Sequence, residues 1–86
     1  MLSILQLCRP LEITSVAAGE TLLPEGGCTG LLYVLVDGEV EILKGTFQVD
    51  TVSEPGAIFG EVSALLGTPH MATVRTVGPC TVYRIE

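Results

Sequence analysis

The chain has 86 residues, with ten Asp plus Glu against four Lys plus Arg, and charged residues make up 16% of it. A single domain of this length removes only about 60 to 65% of its unfolded surface on folding, which leaves no room for a large catalytic architecture. The formal charge of −6 argues against a nucleic-acid partner, because four scattered cations make no basic stripe for a phosphate backbone.

Met1 to Cys8 is apolar but lacks a basic start, and Arg9-Pro10 follows too early for a cleavable signal peptide. Leu2, Leu5 and Leu11 predict a short helical lead-in over residues 1–10, ended by Pro10. From Glu12 onward short runs rich in Val, Ile, Leu, Thr and Tyr alternate with Gly and Pro, and strands are expected near 12–17, 21–24, 31–36, 39–44, 47–53, 71–76 and 80–85. The longest apolar run, Leu31 to Val36, is far short of the roughly 20 residues that cross a bilayer, so no direct membrane insertion is expected. Asp37-Gly38 reads as a two-residue hairpin turn, since a primed turn needs a positive φ that glycine adopts freely. Lys44-Gly45-Thr46 closes the next hairpin. Between them Val40 and Ile42 alternate with Glu39, Glu41 and Lys44, which makes the two glutamates a solvated face and not a carboxylate dyad. Seven short strands at this spacing predict an all-β sandwich or barrel-like roll.

Cys8, Cys28 and Cys80 are odd in number and contain no Cys-x-x-Cys pair, a pattern that suits reduced thiols in the cytoplasm better than a zinc site or a secreted disulfide framework. With 48% hydrophobic residues and few charges, the domain is expected to carry a surface for a protein partner, for self-association or for a covalently linked effector domain. Gly-Glu occurs at 19–20, 38–39 and 60–61, a near-regular spacing that suits corners of a roll. Only the third is followed by helical composition, Gly60-Glu61-Val62-Ser63-Ala64-Leu65-Leu66, stopped by Gly67 and Pro69. A helix opening there offers unpaired backbone N–H groups to an anion, Gly60 admits close approach, and Glu61 can accept a sugar hydroxyl. The same residues also suit a plain helix start, so the motif alone leaves both readings open.

The stretch Phe59-Gly60-Glu61-Val62-Ser63-Ala64-Leu65-Leu66-Gly67-Thr68-Pro69-His70-Met71-Ala72-Thr73-Val74 resembles the phosphate-binding cassette of cyclic nucleotide-binding domains. These are the regulatory modules of cAMP-dependent kinases, catabolite-activator-type regulators and cyclic-nucleotide-gated channels. Ala18-Gly19-Glu20-Thr21-Leu22, Pro24-Glu25-Gly26, Leu32-Tyr33-Val34-Leu35, Gly38-Glu39-Val40-Glu41 and Pro55-Gly56-Ala57-Ile58 follow the same family order. The resemblance implies one domain over 1–86: the lead-in 1–10, then a double-stranded β-helix or jelly-roll-like β-roll over 11–86 with a short cassette helix inside 59–74. It implies ligand-binding residues Gly60, Glu61, Val62, His70, Met71 and Ala72, with Glu61 on the ribose 2′-hydroxyl and backbone N–H groups on the cyclic phosphate.

The family places an Arg where this chain has His70, and a small or hydroxyl-bearing residue where it has Met71. His offers one donor on a shorter arm in place of a charged planar fork. The resemblance therefore implies a ligand-sensing regulatory module for cAMP, cGMP or a related small anion, weakened at the phosphate. The alternative is a degenerate interaction or oligomerisation module that binds no nucleotide. His70 has a plain reading too, a polar loop residue after Pro69. Arg75, on the strand face opposite to His70, is expected to be solvated and not to substitute for the missing Arg. No enzyme is expected and no cofactor beyond the nucleotide ligand: one His does not make a cupin-type metal site, and Cys28 or Cys80 is more simply structural than a partner for His70. In the family a helix follows the last strand and covers the base. Here the sequence stops at Arg84-Ile85-Glu86, so the expectation is no C-terminal lid, in either an excised fragment or a small relic of the fold.

Overall fold

Short runs of branched and aromatic residues, cut by glycines at positive φ, become eight strands in the computed structural model, which describes residues 11–85. The strands are β1 Ile13–Val16, β2 Thr21–Leu23, β3 Leu32–Asp37, β4 Val40–Lys44, β5 Phe47–Val52, β6 Ile58–Phe59, β7 Thr73–Thr76 and β8 Cys80–Ile85, with one helix, α1, Glu61–Leu66. They form two antiparallel four-stranded sheets, ordered β1-β8-β3-β6 and β2-β7-β4-β5. This is the all-β roll with a short cassette helix that the sequence predicts. The helical lead-in and Cys8 lie outside the described residues.

The chain leaves the first sheet for the second after β1 and again after β3, and both crossings use Gly-Glu, at Gly19 (φ +78°) and Gly38 (φ +104°). Asp37-Gly38 is therefore a corner and not the expected hairpin turn, because β3 pairs with β6 and β8 while β4 pairs with β5 and β7. The reason lies in the core. Leu35 and Val40, both fully buried, enter one cluster from opposite sheets together with Phe59, Val74 and Val82, so the chain must change layers between them. A Cβ on Gly38 would lie 2.7 Å from Cys80 Sγ and 2.8 Å from the Pro79 carbonyl oxygen. The turn glycine is thus needed for close approach as well as for its φ. The Gly45-Thr46 turn is a true hairpin, with Lys44 opposite Phe47.

Polar ties fasten the corners. Thr76, 1% exposed, donates its hydroxyl to the Ala17 carbonyl at 2.7 Å and accepts the Glu20 N–H at 2.9 Å. The Glu39 carbonyl accepts the Val77 N–H and the Cys80 thiol. Burial pushes the Cys80 thiol above its ordinary pKa, the opposite of an activated thiolate. Cys28 and Cys80 are both free thiols.

Three strand-level expectations are corrected. β7 begins at Thr73, not residue 71, and Ile58–Phe59 forms a short strand on β3 that is not among the expected strands. Glu41 and Arg75 are not solvated singly: they stand opposite each other on β4 and β7, and Arg75 Nε and Nη2 both reach Glu41 Oε2 at 3.1 Å. Alternation along one strand cannot reveal the charge on its neighbour, and opposite charges at paired positions attract. No helix among the described residues is long and apolar enough to cross a membrane.

Candidate functional site

At the third Gly-Glu the chain leaves β6 and enters a helix before it rejoins a sheet at β7. Gly60 adopts φ +88° at the start of α1, and a Cβ there would lie 2.6 Å from the Leu31 carbonyl oxygen and 3.1 Å from Leu23 Cδ1. The glycine is required by this approach of the chain to itself, a reason different from the ligand clearance that the sequence suggests. The first helical bond runs from the Ala64 N–H to the Gly60 carbonyl at 2.9 Å, which leaves the N–H groups of residues 61–63 without a helical acceptor. Gly67, at φ +67°, closes the helix by donating to the Ser63 carbonyl. No residue of α1 is buried: Leu65 is 82% and Leu66 70% exposed.

The segment that returns to β7 forms the facing part of the site. His70 is only 4% exposed. Its N–H donates to the Gly27 carbonyl and its carbonyl accepts the Gly26 N–H, while ring atom Nε2 lies 2.8 Å from Thr29 Oγ1. Thr29 Oγ1 also accepts the Leu31 N–H at 3.2 Å. His70 is therefore anchored into the 26–29 loop, and Arg75 is held elsewhere by Glu41. Next to it Met71 is 75% exposed, and its carbonyl accepts Lys44 Nζ at 2.7 Å. Lys44 in turn pairs with Glu25 at 3.0 Å. The Glu25 carboxylate also accepts the Gly45 N–H, and this bond, with help from Lys44, holds its carboxyl below the usual carboxylate range.

These parts enclose a cleft of about 230 Å³. Gly60, Glu61 and Val62 line it from the head of α1, and His70, Met71 and Ala72 from the loop before β7, so all six residues singled out in the sequence meet at one place. Leu23, Phe59 and Val74 add an apolar lining continuous with the core. Ser63 also lines the cleft, and the sequence reading passed over it; its signal was its place two residues after Glu61, in the first helical turn. Thr29 was missed altogether, since nothing local to residues 26–30 indicates a partner 41 positions away. Chemically the cleft offers one carboxylate, one hydroxyl, one imidazole and unpaired peptide donors against an apolar back.

The profile of the cyclic nucleotide-binding domain matches residues 13–86. The chain is 36% identical over 77 residues to an uncharacterized ABC transporter ATP-binding protein of Mycobacterium tuberculosis, covering 85% of this chain and 23% of that protein. It is 30% identical over 69 residues to a cAMP-dependent protein kinase regulatory subunit of Yarrowia lipolytica, covering 80% of this chain and 18% of that subunit. Among solved structures, cAMP-bound PfPKA-R superposes with a TM-score of 0.82 at 26% identity, over 94% of this chain and 28% of that one. The chain thus spans about a quarter or less of the length of the curated relatives it matches.

Proposed function

Because the chain belongs to the cyclic nucleotide-binding domain family, we propose that it is a ligand-sensing regulatory module whose cleft takes a cyclic nucleotide, with a phosphate grip weakened at His70. The observation that carries this reading is the convergence of Glu61, the unpaired peptide donors of residues 61–63 and His70 on one cleft. Glu61 accepts the ribose hydroxyl, and the peptide donors turn to the cyclic phosphate. At His70 an Arg would supply a bidentate charged pair, and the imidazole, already engaged by Thr29, supplies one donor at most. In a longer protein, ligand would order α1, which has no buried residue in this state, and bias whatever packs on it.

Titration calorimetry of cAMP and cGMP against the parent chain and His70→Arg tests the reading. The variant is expected to bind about 10 to 100 times more tightly, the worth of one charge-assisted bond of about 1.5 to 3 kcal/mol. Absence of binding in both proteins, with both shown folded, removes the sensing reading. One observation favours a second reading, an interaction module without nucleotide: Leu65 and Leu66 on α1 and Met71 in the cleft lining are all exposed apolar side chains, which a protein partner could cover.

A further inference from the structure

The charges around the cleft are one-sided. Of its eleven lining residues only Glu61 carries a formal charge, and that charge is negative. Lys44 reaches the outside of the Met71 peptide but is paired with Glu25, and Arg75 is paired with Glu41. Arg84 lies on β8 in the other sheet and does not line the cleft. His70 has one ring nitrogen on Thr29 and both backbone groups on Gly26 and Gly27. Among the described residues, then, no cation is available to neutralise an anion that enters beside Glu61.

From this we infer that the cleft selects an uncharged ribonucleoside over the corresponding 3′,5′-cyclic phosphate. The inference rests on the proposed reading of the cleft as a ribose site and goes beyond it in naming the ligand class. Two independent chemical arguments agree. A phosphate monoanion held within one cleft of the Glu61 carboxylate is a like-charge pair, and no cation in the lining offsets it. A neutral ligand meets no such repulsion. The second argument concerns hydroxyls. In a 3′,5′-cyclic ester the 3′-oxygen is bonded to phosphorus, so the sugar has only its 2′-hydroxyl to donate. A free nucleoside carries a cis 2′,3′-diol, and both hydroxyls can donate to the two oxygens of one carboxylate, which is an acceptor only. Glu61 is exposed and its carboxylate makes no hydrogen bond or ion pair within the described residues, so both oxygens are open to the sugar. The remaining lining is neutral or apolar and suits a purine face against Val62 and Met71, half or more exposed before a ligand covers them.

The test uses the whole chain and four ligands, adenosine, guanosine, cAMP and cGMP, by titration calorimetry. At least one nucleoside is expected to bind about tenfold or more tightly than its own cyclic phosphate, a difference of about 1.4 kcal/mol. Its affinity should change little between about 50 and 500 mM salt. The 2′-deoxy and 3′-deoxy forms of that nucleoside should each lose about tenfold or more, through loss of one charge-assisted bond. Glu61→Gln, a neutral change at an exposed position, should weaken the nucleoside and strengthen the cyclic phosphate, reversing or erasing the preference. A cyclic nucleotide that binds as tightly as its nucleoside, or a 3′-deoxynucleoside that binds like the parent, overturns this inference and leaves the cyclic-nucleotide reading standing. If none of the four ligands binds a chain shown folded by circular dichroism, both fall together.

Discussion

Gly38-Glu39 and Gly60-Glu61 are the same dipeptide with glycine in nearly the same conformation, φ +104° and +88°, yet one makes scaffold and the other a site. After Gly38 the chain turns at once into β4, and Val40, two residues on, is fully buried. The corner is then locked by the Glu39 carbonyl, which accepts from Val77 and Cys80. After Gly60 the chain enters a helix with no buried residue, so its peptide donors and side chains face a cleft instead of a neighbouring strand. Both glycines are required because the chain passes close to itself there, Gly38 against Pro79 and Cys80, Gly60 against Leu31. What separates them is the next element. A positive-φ glycine marks a change of direction, and an open cleft arises where the new direction is left unpaired.

This contrast can be broken most severely at the corner. Gly38→Ala places a methyl group within 3 Å of three atoms of Pro79 and Cys80 in a φ region that side chains avoid, and is expected to cost about 3 kcal/mol or more. Urea unfolding measures it, and a cost below about 1 kcal/mol would show that the corner yields easily. Thr76→Val keeps the shape but removes the hydroxyl that serves Ala17 and Glu20. The expected loss is about 1 to 3 kcal/mol, the cost of buried groups left unpaired, again read from the urea midpoint.

A smaller effect belongs to the Glu25–Lys44–Met71 link that backs the cleft. The Glu25 carboxyl has a lowered pKa in the fold, so its contribution is present above the unfolded-state value and is lost as pH falls through the folded one. The melting temperatures of the parent and Glu25→Gln should differ at pH 7 and converge below the ordinary carboxylate range. A gap that persists unchanged at pH 2 to 3 contradicts the assignment. The smallest effect sharpens the other side of the comparison. Leu65→Gln, at a position 82% exposed, should change stability by no more than about 0.5 kcal/mol, because the helix is not packed. A loss several times larger in the isolated chain would mean that Leu65 is covered in solution.

The sequence by itself determined the all-β class, the positions of most strands and the short helix between Gly60 and Gly67. These follow from local chemistry: period-two runs, glycine at turns, and a break in that rhythm after Phe59. Tertiary structure alone decided which strands are partners. Asp37-Gly38 has the chemistry of a hairpin, but Leu35 and Val40 are buried in the same core from opposite sheets, and a turn of two residues carries no record of which sheet lies ahead. Glu41 with Arg75, Lys44 with the Met71 carbonyl, and His70 with Thr29 are likewise contacts between segments 27 to 41 residues apart. Local pattern reports the conformation of a segment, whereas a hydrogen bond to a distant segment depends on where packing brings that segment, and it is packing that fixed His70 on Thr29 and left Glu61 as the only charge in the cleft.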